Sequence, residues 1–264
     1  MPFEQLKSAE NPKIKDAVRL LTNASHRTAQ NRFICEGLRL VRDAVQSGVT
    51  LHEVFVTEQF CQQFPDEVAR IAAAAAQVYC VTPSLLQKIS DTRTPQGICA
   101  VGTLPALPLP QHGRLMVCDR LQDPANLGAL ARTAEAFGID GLLLSADSCA
   151  PHNPKALRAS MGAFFRLPTA VCDCLPEALC RLREQGFAVF GSVVRDETCC
   201  LTELTFPASC ALVIGNEANG VSDAVLAACD QRVTIRMAGR AESLNASAAA
   251  TVFMWEMTKG GACE

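Results

Sequence analysis

The chain has 264 residues, 49% of them hydrophobic and 19% charged, with a formal net charge of −3. This is enough apolar material for a sizeable core, too little charge for a disordered chain, and a length that suits two small domains better than one. The polar start MPFEQLKSAENPKIKDAV is unlike a signal peptide, and the longest apolar run, Ile71 to Ala76, is far short of the roughly 20 residues a membrane span needs, so a cytoplasmic protein with no membrane partner is expected.

Asn11-Pro12 marks the first helix, an N-cap residue followed by proline at the first helical position. Ile14, Ala17, Val18 and Leu21 share one face, which leaves Lys13, Lys15 and Arg19 outward. A polar loop carrying His26 and Arg27 is expected from Asn23 to Asn31. Then follow a strand over Arg32–Glu36, an amphipathic helix over Gly37–Ser47 ended by Gly48, and a strand over His52–Thr57. A helix over Glu67–Gln77, a short strand over Val78–Val81 and a strand over Ile98–Leu104 complete an α/β sandwich of residues 1–104. Pro105, Pro108 and Pro110 cannot sit inside a sheet or helix and make residues 105–113 a semi-rigid linker.

A second domain, residues 114–264, opens with the strand Leu115–Asp119. A loop feeding a helix follows over Asp123–Gly138, with Gly138 as its C-cap. The further strands are Gly141–Leu144, Leu167–Val171, Phe187–Ser192, Ala211–Ile214 and Arg232–Ile235. Six strands with intervening helices predict a mostly parallel sheet covered on both faces. The last two strands each run into a glycine turn, Gly215 to Gly220 around Glu217 and Gly239 before Ser243-Leu244-Asn245, and the latter opens a long Ala-rich helix. Strand ends that feed glycine turns and a helix N-terminus are where open α/β sheets bind ligands.

The chemistry is narrowed by what is missing. The first strand-to-helix turn of the second domain holds one glycine, Gly128, in place of G-x-G-x-x-G, and neither G-x-x-x-x-G-K-[ST] nor G-x-S-x-G occurs. A pyrophosphate cofactor and serine-hydrolase chemistry are disfavoured. None of the fourteen cysteines forms C-x-x-C, and the four histidines are scattered, so no metal is expected and most cysteines read as small buried hydrophobes of a reduced compartment. Charge is uneven: residues 1–45 carry eight Lys/Arg against five Asp/Glu, and residues 151–168 carry Lys155, Arg158 and Arg166 with no acid. Either patch is a solvated face or a contact for an anionic partner.

Three motifs then stand in order: Asn126-x-Gly128-x-x-x-Arg132, Gly215-Asn-Glu217-x-x-Gly220 and Gly239-x-x-x-Ser243-Leu244-Asn245-x-Ser247. They resemble the three motifs of the SpoU/TrmH family of RNA ribose 2′-O-methyltransferases. Asn153-Pro-Lys155-x-x-Arg158-x-Ser160-x-Gly162-Ala-x-Phe165-Arg166 also resembles that family, as do Arg32-Phe-x-x-Glu36-Gly37 and Thr94-Pro-Gln-Gly-Ile98. The resemblance implies a C-terminal SPOUT (α/β trefoil knot) domain preceded by a small ribosomal-protein-like α/β substrate-binding domain, acting as a homodimer. It implies S-adenosylmethionine held at Gly215, Asn216, Gly220, Ile235, Met237 and Leu244.

The resemblance also assigns deprotonation or stabilisation of the acceptor 2′-oxygen to Arg132. A guanidinium is a poor general base, and binding the neighbouring phosphate while stabilising charge on the oxygen suits it better; both roles stay open. Asn126, Glu217, Ser243 and Asn245 position Arg132 and the ribose, or cap loops and the last helix. Lys13, Lys15, Arg27 and Arg32 are expected on the RNA backbone, with Lys155 and Arg158 near the reacting ribose. Arg236 stands where the family usually has proline, and Ala246 where it has valine. The implied substrate is 23S rRNA; a tRNA, or a catalytically idle RNA-binding or ribosome-assembly module of the same fold, is the alternative.

Overall fold

The computed structural model describes residues 3–194 and 199–259. The chain forms two compact units, one of residues 1–105 with 152–166 and the other of residues 106–151 with 167–264.

The first unit runs β1 (Glu4–Leu6), α1 (Pro12–Thr22), α2 (Ala24–Gln30), β2 (Phe33–Glu36), α3 (Leu38–Gln46), β3 (Thr50–Val56), α4 (Glu58–Gln63), α5 (Pro65–Ala74), β4 (Ala75–Val81), α6 (Pro83–Lys88) and β5 (Ile98–Thr103). Its five-stranded sheet has the order β1-β4-β3-β5-β2, parallel from β1 to β3 and antiparallel where β5 pairs with β3 and β2. Strand residues alternate between faces, so Ile34, Phe55, Cys99 and Val101 meet Ile14, Ala17 and Leu20 of α1 and Leu85 and Leu86 of α6. α3 and α5 also pack on the sheet, giving the expected sandwich.

Two local readings change. The polar stretch Asn23–Asn31 is helical, because its asparagines are caps: the Asn23 side chain accepts from the His26 N–H, and Asn31 takes the left-handed conformation at φ 49°. The run of alanines expected to stay helical to Gln77 crosses into β4 at Ala75, where a sheet position outweighs alanine's helix preference.

Residues 152–166, placed by chain order in the second domain, pack with the first unit. They form α8 (Pro154–Ser160) and a 3-10 turn over Ala163–Phe165. Phe165 lies against Phe33 with ring centroids 5.6 Å apart, and Arg166 pairs with Asp43 at 2.8 Å. Gly162 has φ +86°, and a Cβ there would lie 1.6 Å from Asp43 Oδ2, so only glycine lets this turn sit over α3.

The second unit runs β6 (Arg114–Cys118), α7 (Pro124–Ala136), β7 (Gly141–Ser145), β8 (Thr169–Cys172), α9 (Leu175–Glu184), β9 (Ala188–Val193), β10 (Cys210–Ile214), α10 (Asp223–Ala227), β11 (Gln231–Thr234) and α11 (Ala246–Thr258). Its six strands are all parallel, in the order β11-β9-β10-β6-β7-β8. β7 and β10 are buried along their whole length, as a sheet covered on both faces requires. α9 and α10 pack on one face through Leu179, Leu182 and Val225. Because the strands are parallel, the segments after β6, β9, β10 and β11 all leave from one edge of the sheet.

No helix among the described residues is long and apolar enough to cross a membrane. The thirteen described cysteines are all free. Only Cys35, Cys99, Cys118 and Cys210, all in strands, are buried; Cys80 and Cys172, also in strands, are half-buried and Cys174 and Cys180 are exposed, so the expectation of mostly buried cysteines is not met among the described residues.

Candidate functional site

At that edge lies a cavity of about 710 Å³, lined by the ends of β9 and β10, by residues 214–221, by Ile235 and Met237, and by residues 242–246. The loop after β10 is folded back on itself: Asn216 and Gly220 exchange both backbone hydrogen bonds, at 3.0 and 2.9 Å. A Cβ on Gly215 would lie 2.0 Å from the Gly220 carbonyl carbon, so only a glycine closes this turn, and Gly220 itself has φ +67°. Asn216 adds a second clasp. Its amide donates to the Arg120 carbonyl at 2.9 Å, and its Oδ1 accepts from the N–H of Ala218 and Asn219.

One hydrogen-bond chain joins the three sequence motifs. Glu217 Oε1 accepts from Asn126 Nδ2 at 3.0 Å; Asn126 Oδ1 accepts from Asn245 Nδ2 at 2.9 Å; Asn245 Oδ1 accepts from the Ser247 N–H and hydroxyl at 3.0 and 2.7 Å. Asn245 is also the N-cap of α11, so capping and linking are performed by the same side chain. Asn126 sits in the first turn of α7, not in a loop before it, because Asp123 caps that helix and proline follows. Burial acts to raise the Glu217 pKa, but hydrogen bonds from the Asn126 side chain and from the N–H groups of Glu217, Asp123 and Gln122 outweigh it and hold the carboxyl below its usual range. Glu217 is therefore an ionised acceptor.

Gly215, Asn216, Glu217, Gly220, Ile235, Met237, Ser243, Leu244 and Asn245 all line the one cavity. Arg132 does not. It is exposed, six residues beyond Asn126 and about 240° round α7 from it, and Asn126 itself reaches the cavity only through Glu217 and Asn245. With Ala125, Ala129 and Ala136 it forms the outward stripe of α7. Arg236 is exposed outside the cavity lining, and Ala246 lines it.

Size and lining suit a nucleoside-sized ligand. Ile214, Ile235, Met237, Leu244 and Phe253 supply an apolar surface, and the turns on either side supply main-chain polar groups. Among the described residues no group of three or more His, Cys, Asp or Glu side chains could hold a metal.

Residues 113–255 match the SpoU rRNA Methylase family, and residues 11–100 match the MRM3-like substrate binding domain. The chain belongs to the SpoU rRNA methylase family. It is 32% identical to the 23S rRNA (guanosine(2553)-2'-O)-methyltransferase RlmP of Bacillus subtilis, over 97% of this chain and 99% of that protein. It is 28% identical to the 23S rRNA (uridine(2479)-2'-O)-methyltransferase of Streptomyces viridochromogenes, over 96% of this chain and 91% of that protein. The crystal structure of an AdoMet-bound rRNA methyltransferase from Sinorhizobium meliloti superposes with a TM-score of 0.85 at 26% identity, covering 99% of each chain. The fold of the family, a SPOUT domain preceded by a substrate-binding domain, is thus the fold of this chain.

Several residues in or beside the cavity escaped the sequence reading. Asp119, 3% exposed at the end of β6, accepts from the Ser222 N–H at 2.7 Å and from Arg120 Nε at 3.3 Å, pinning both ends of the β10 loop's surroundings. Its signal was an acid closing an apolar strand. Ser192, Val193 and Glu242 line the cavity as well, and nothing in their spacing marks them.

The expected RNA contacts divide. Arg27 is buried, and its guanidinium donates to the carbonyls of Leu20 and Leu21 at 2.8 and 3.2 Å; it caps the end of α1 and is withdrawn as a backbone contact. Arg32, its side chain 18% exposed, is clamped between Asp16 and Glu53 and is withdrawn too. Lys13 pairs with Glu53 at 2.8 Å and Lys15 with Glu10 at 2.5 Å, both lysine side chains remaining about half exposed. Lys155 and Arg158 are exposed on α8.

Proposed function

We propose that this protein transfers a methyl group from S-adenosylmethionine to a ribose 2′-hydroxyl of 23S rRNA, in the cytoplasm and as a homodimer. The observation that carries the reading is the chain Glu217–Asn126–Asn245, which fixes three distant segments around one cavity. Gly215, Asn216, Gly220, Ile235, Met237 and Leu244 would hold the cofactor there, with the chain from β10 to α11 forming the knot expected of the family. When bound, S-adenosylmethionine supplies an electrophilic methyl on a sulfonium. Glu217, ionised and exposed in the cavity lining, orients the acceptor ribose, and Ser243 lines the same cavity. The amides of Asn126 and Asn245 keep that carboxylate in place without changing charge.

Arg132 completes the site from the partner subunit. α11 buries Phe253, Met254 and Met257 inward, yet also shows Val252 and Trp255, the latter 57% exposed. A helix apolar on both faces needs a second cover. α7 packs beside it, Phe137 touching Trp255 with centroids 6.0 Å apart, and the alanines around Arg132 allow close approach of another chain. A self-complementary face built from these helices delivers one subunit's Arg132 to the other's cavity. There the guanidinium grips the adjacent phosphate and stabilises charge growing on the 2′-oxygen. Lys13, Lys15, Lys155 and Arg158 hold the RNA backbone.

Radiolabelled methyl transfer from S-adenosylmethionine to total RNA, followed by mapping of the labelled ribose, tests the reading. Label in 23S rRNA is expected, with Arg132→Ala at least about 10³-fold slower in kcat and unchanged in cofactor affinity. Incorporation into tRNA only, or into no RNA, overturns it.

A further inference from the structure

We infer that a groove in the first unit, walled by Arg39, Arg42, Arg158 and Arg166, takes the sugar-phosphate backbone of the RNA substrate; the inference rests on the RNA reading above and names the surface it uses. The groove has a volume of about 550 Å³ and is completed by Thr92 and Gln96. It is a built feature. Glu36, at the end of β2, accepts from Thr92 Oγ1 at 2.8 Å, from the Gln96 N–H at 3.2 Å and from Ser90, which fixes residues 90–96 as one wall. α3 forms the floor, and α8 with its following turn forms the other wall.

The guanidinium groups are aimed by acids that sit behind them. Arg42 Nε meets Glu67 at 3.1 Å, Arg158 Nη1 meets Asp91 at 2.5 Å, and Arg166 Nη1 meets Asp43 at 2.8 Å and Ser47 Oγ at 3.0 Å. The arginine side chains are 43%, 45% and 38% exposed, while the carboxylates are 18%, 18% and 26% exposed. What faces solvent is therefore cationic, although the pairs are neutral in sum. Arg42 and Arg158 each engage their acid through one nitrogen, which leaves the rest of the donor fork for a phosphate oxygen. Arg39 is exposed and has no ion-pair partner among the described residues. Four planar forks on a rigid support, spread along a groove, match successive phosphates better than one compact anion. Two of the four come from residues 152–166, which explains why that segment leaves the second unit's sheet to pack on α3 and β2.

The test is equilibrium binding of in-vitro transcribed 23S rRNA to the full-length protein across a salt series, with cofactor affinity measured by calorimetry on the same preparations. Arg39→Ala/Arg42→Ala is expected to weaken RNA binding about tenfold or more and to reduce the salt slope by about 1.4–1.8, that is about 0.7–0.9 per lost phosphate contact, with cofactor affinity unchanged. Arg158→Gln, on the opposite wall, gives about half that change in slope. A folded, cofactor-binding double variant with wild-type affinity and slope overturns the inference while leaving the methyltransferase reading intact. Wild-type protein that binds cofactor but no RNA overturns both.

Discussion

The cavity at the carboxyl edge of the parallel sheet takes its shape from main chain and neutral amides, whereas the groove of the first unit is walled by guanidinium groups. In the cavity, glycine turns and the amide chain Glu217–Asn126–Asn245 hold one carboxylate, and few charges act. In the groove, three of the four lining arginines, Arg42, Arg158 and Arg166, are each backed by a recessed acid. The difference follows from what each must bind. A compact ligand buried at one place is selected by shape and fixed hydrogen bonds. A long polyanion is selected by charge spread over a surface, at the cost of sensitivity to salt. The first kind of site fails through geometry and the second through charge.

Gly215→Ala probes the geometric side most severely. The new Cβ meets the Gly220 and Val221 main chain, which cannot move without opening the turn. A loss of about 3 kcal/mol or more in stability is expected, with cofactor binding undetectable and RNA binding of the first unit retained. Calorimetry with S-adenosylmethionine and a parallel RNA titration read both arms. Equal loss of both would erase the distinction between the two sites.

Asn126 offers a milder and more specific break. Asn126→Ala removes the donor to Glu217 and the acceptor of Asn245 together, and methyl transfer is expected to fall about 10²-fold with the fold retained. Asn126→Asp sets a carboxylate 3.0 Å from Glu217 in place of the amide. The repelled pair titrates above the ordinary carboxylate range, so the folded state binds protons more readily than the unfolded one and stability falls as pH rises. Denaturant melts should show Asn126→Asp less stable than Asn126→Ala at pH 8, with the gap closing towards pH 5. A gap independent of pH would mean that Glu217 and residue 126 do not share this contact.

The second unit was legible because its signals are local. Uninterrupted apolar runs such as Cys210–Ile214 mark strands buried on both faces, and the glycine turns that follow them mark the cavity. Contacts between residues far apart in sequence carried no such mark. Phe165 against Phe33 and Arg166 against Asp43 put residues 152–166 in the first unit, and nothing local to either segment announces the pairing. Basic residues misled for a related reason: Arg27 and Arg32 read as surface cations, yet one caps buried carbonyls and the other bridges two acids. The arginines that do face a groove, Arg39, Arg42 and Arg166, lie on or beside α3, where helix periodicity shows outwardness but not the opposite wall.

The seam between α2 and residues 152–166 gives the smallest of these effects, and it turns on His152. Its Nε2 lies 3.3 Å from Thr28 Oγ1, and burial together with the nearby Arg27 pulls its pKa down to about 4. The neutral ring is thus favoured in the folded state. Below the ordinary histidine pKa the unfolded chain takes up a proton that the folded chain refuses, so the stabilisation is complete above about pH 6.5 and is lost as pH falls towards 4. After discounting for solvent screening, the loss by pH 5 amounts to about 1 kcal/mol. His152→Gln cannot take up that proton and keeps a partner for Thr28. Its stability relative to the wild type should therefore rise by about this amount between pH 7.5 and pH 5 in urea unfolding monitored on the full chain. Parallel curves for the two proteins would place His152 in water, and the attachment of residues 152–166 would then rest on Phe165 and the Arg166–Asp43 pair alone.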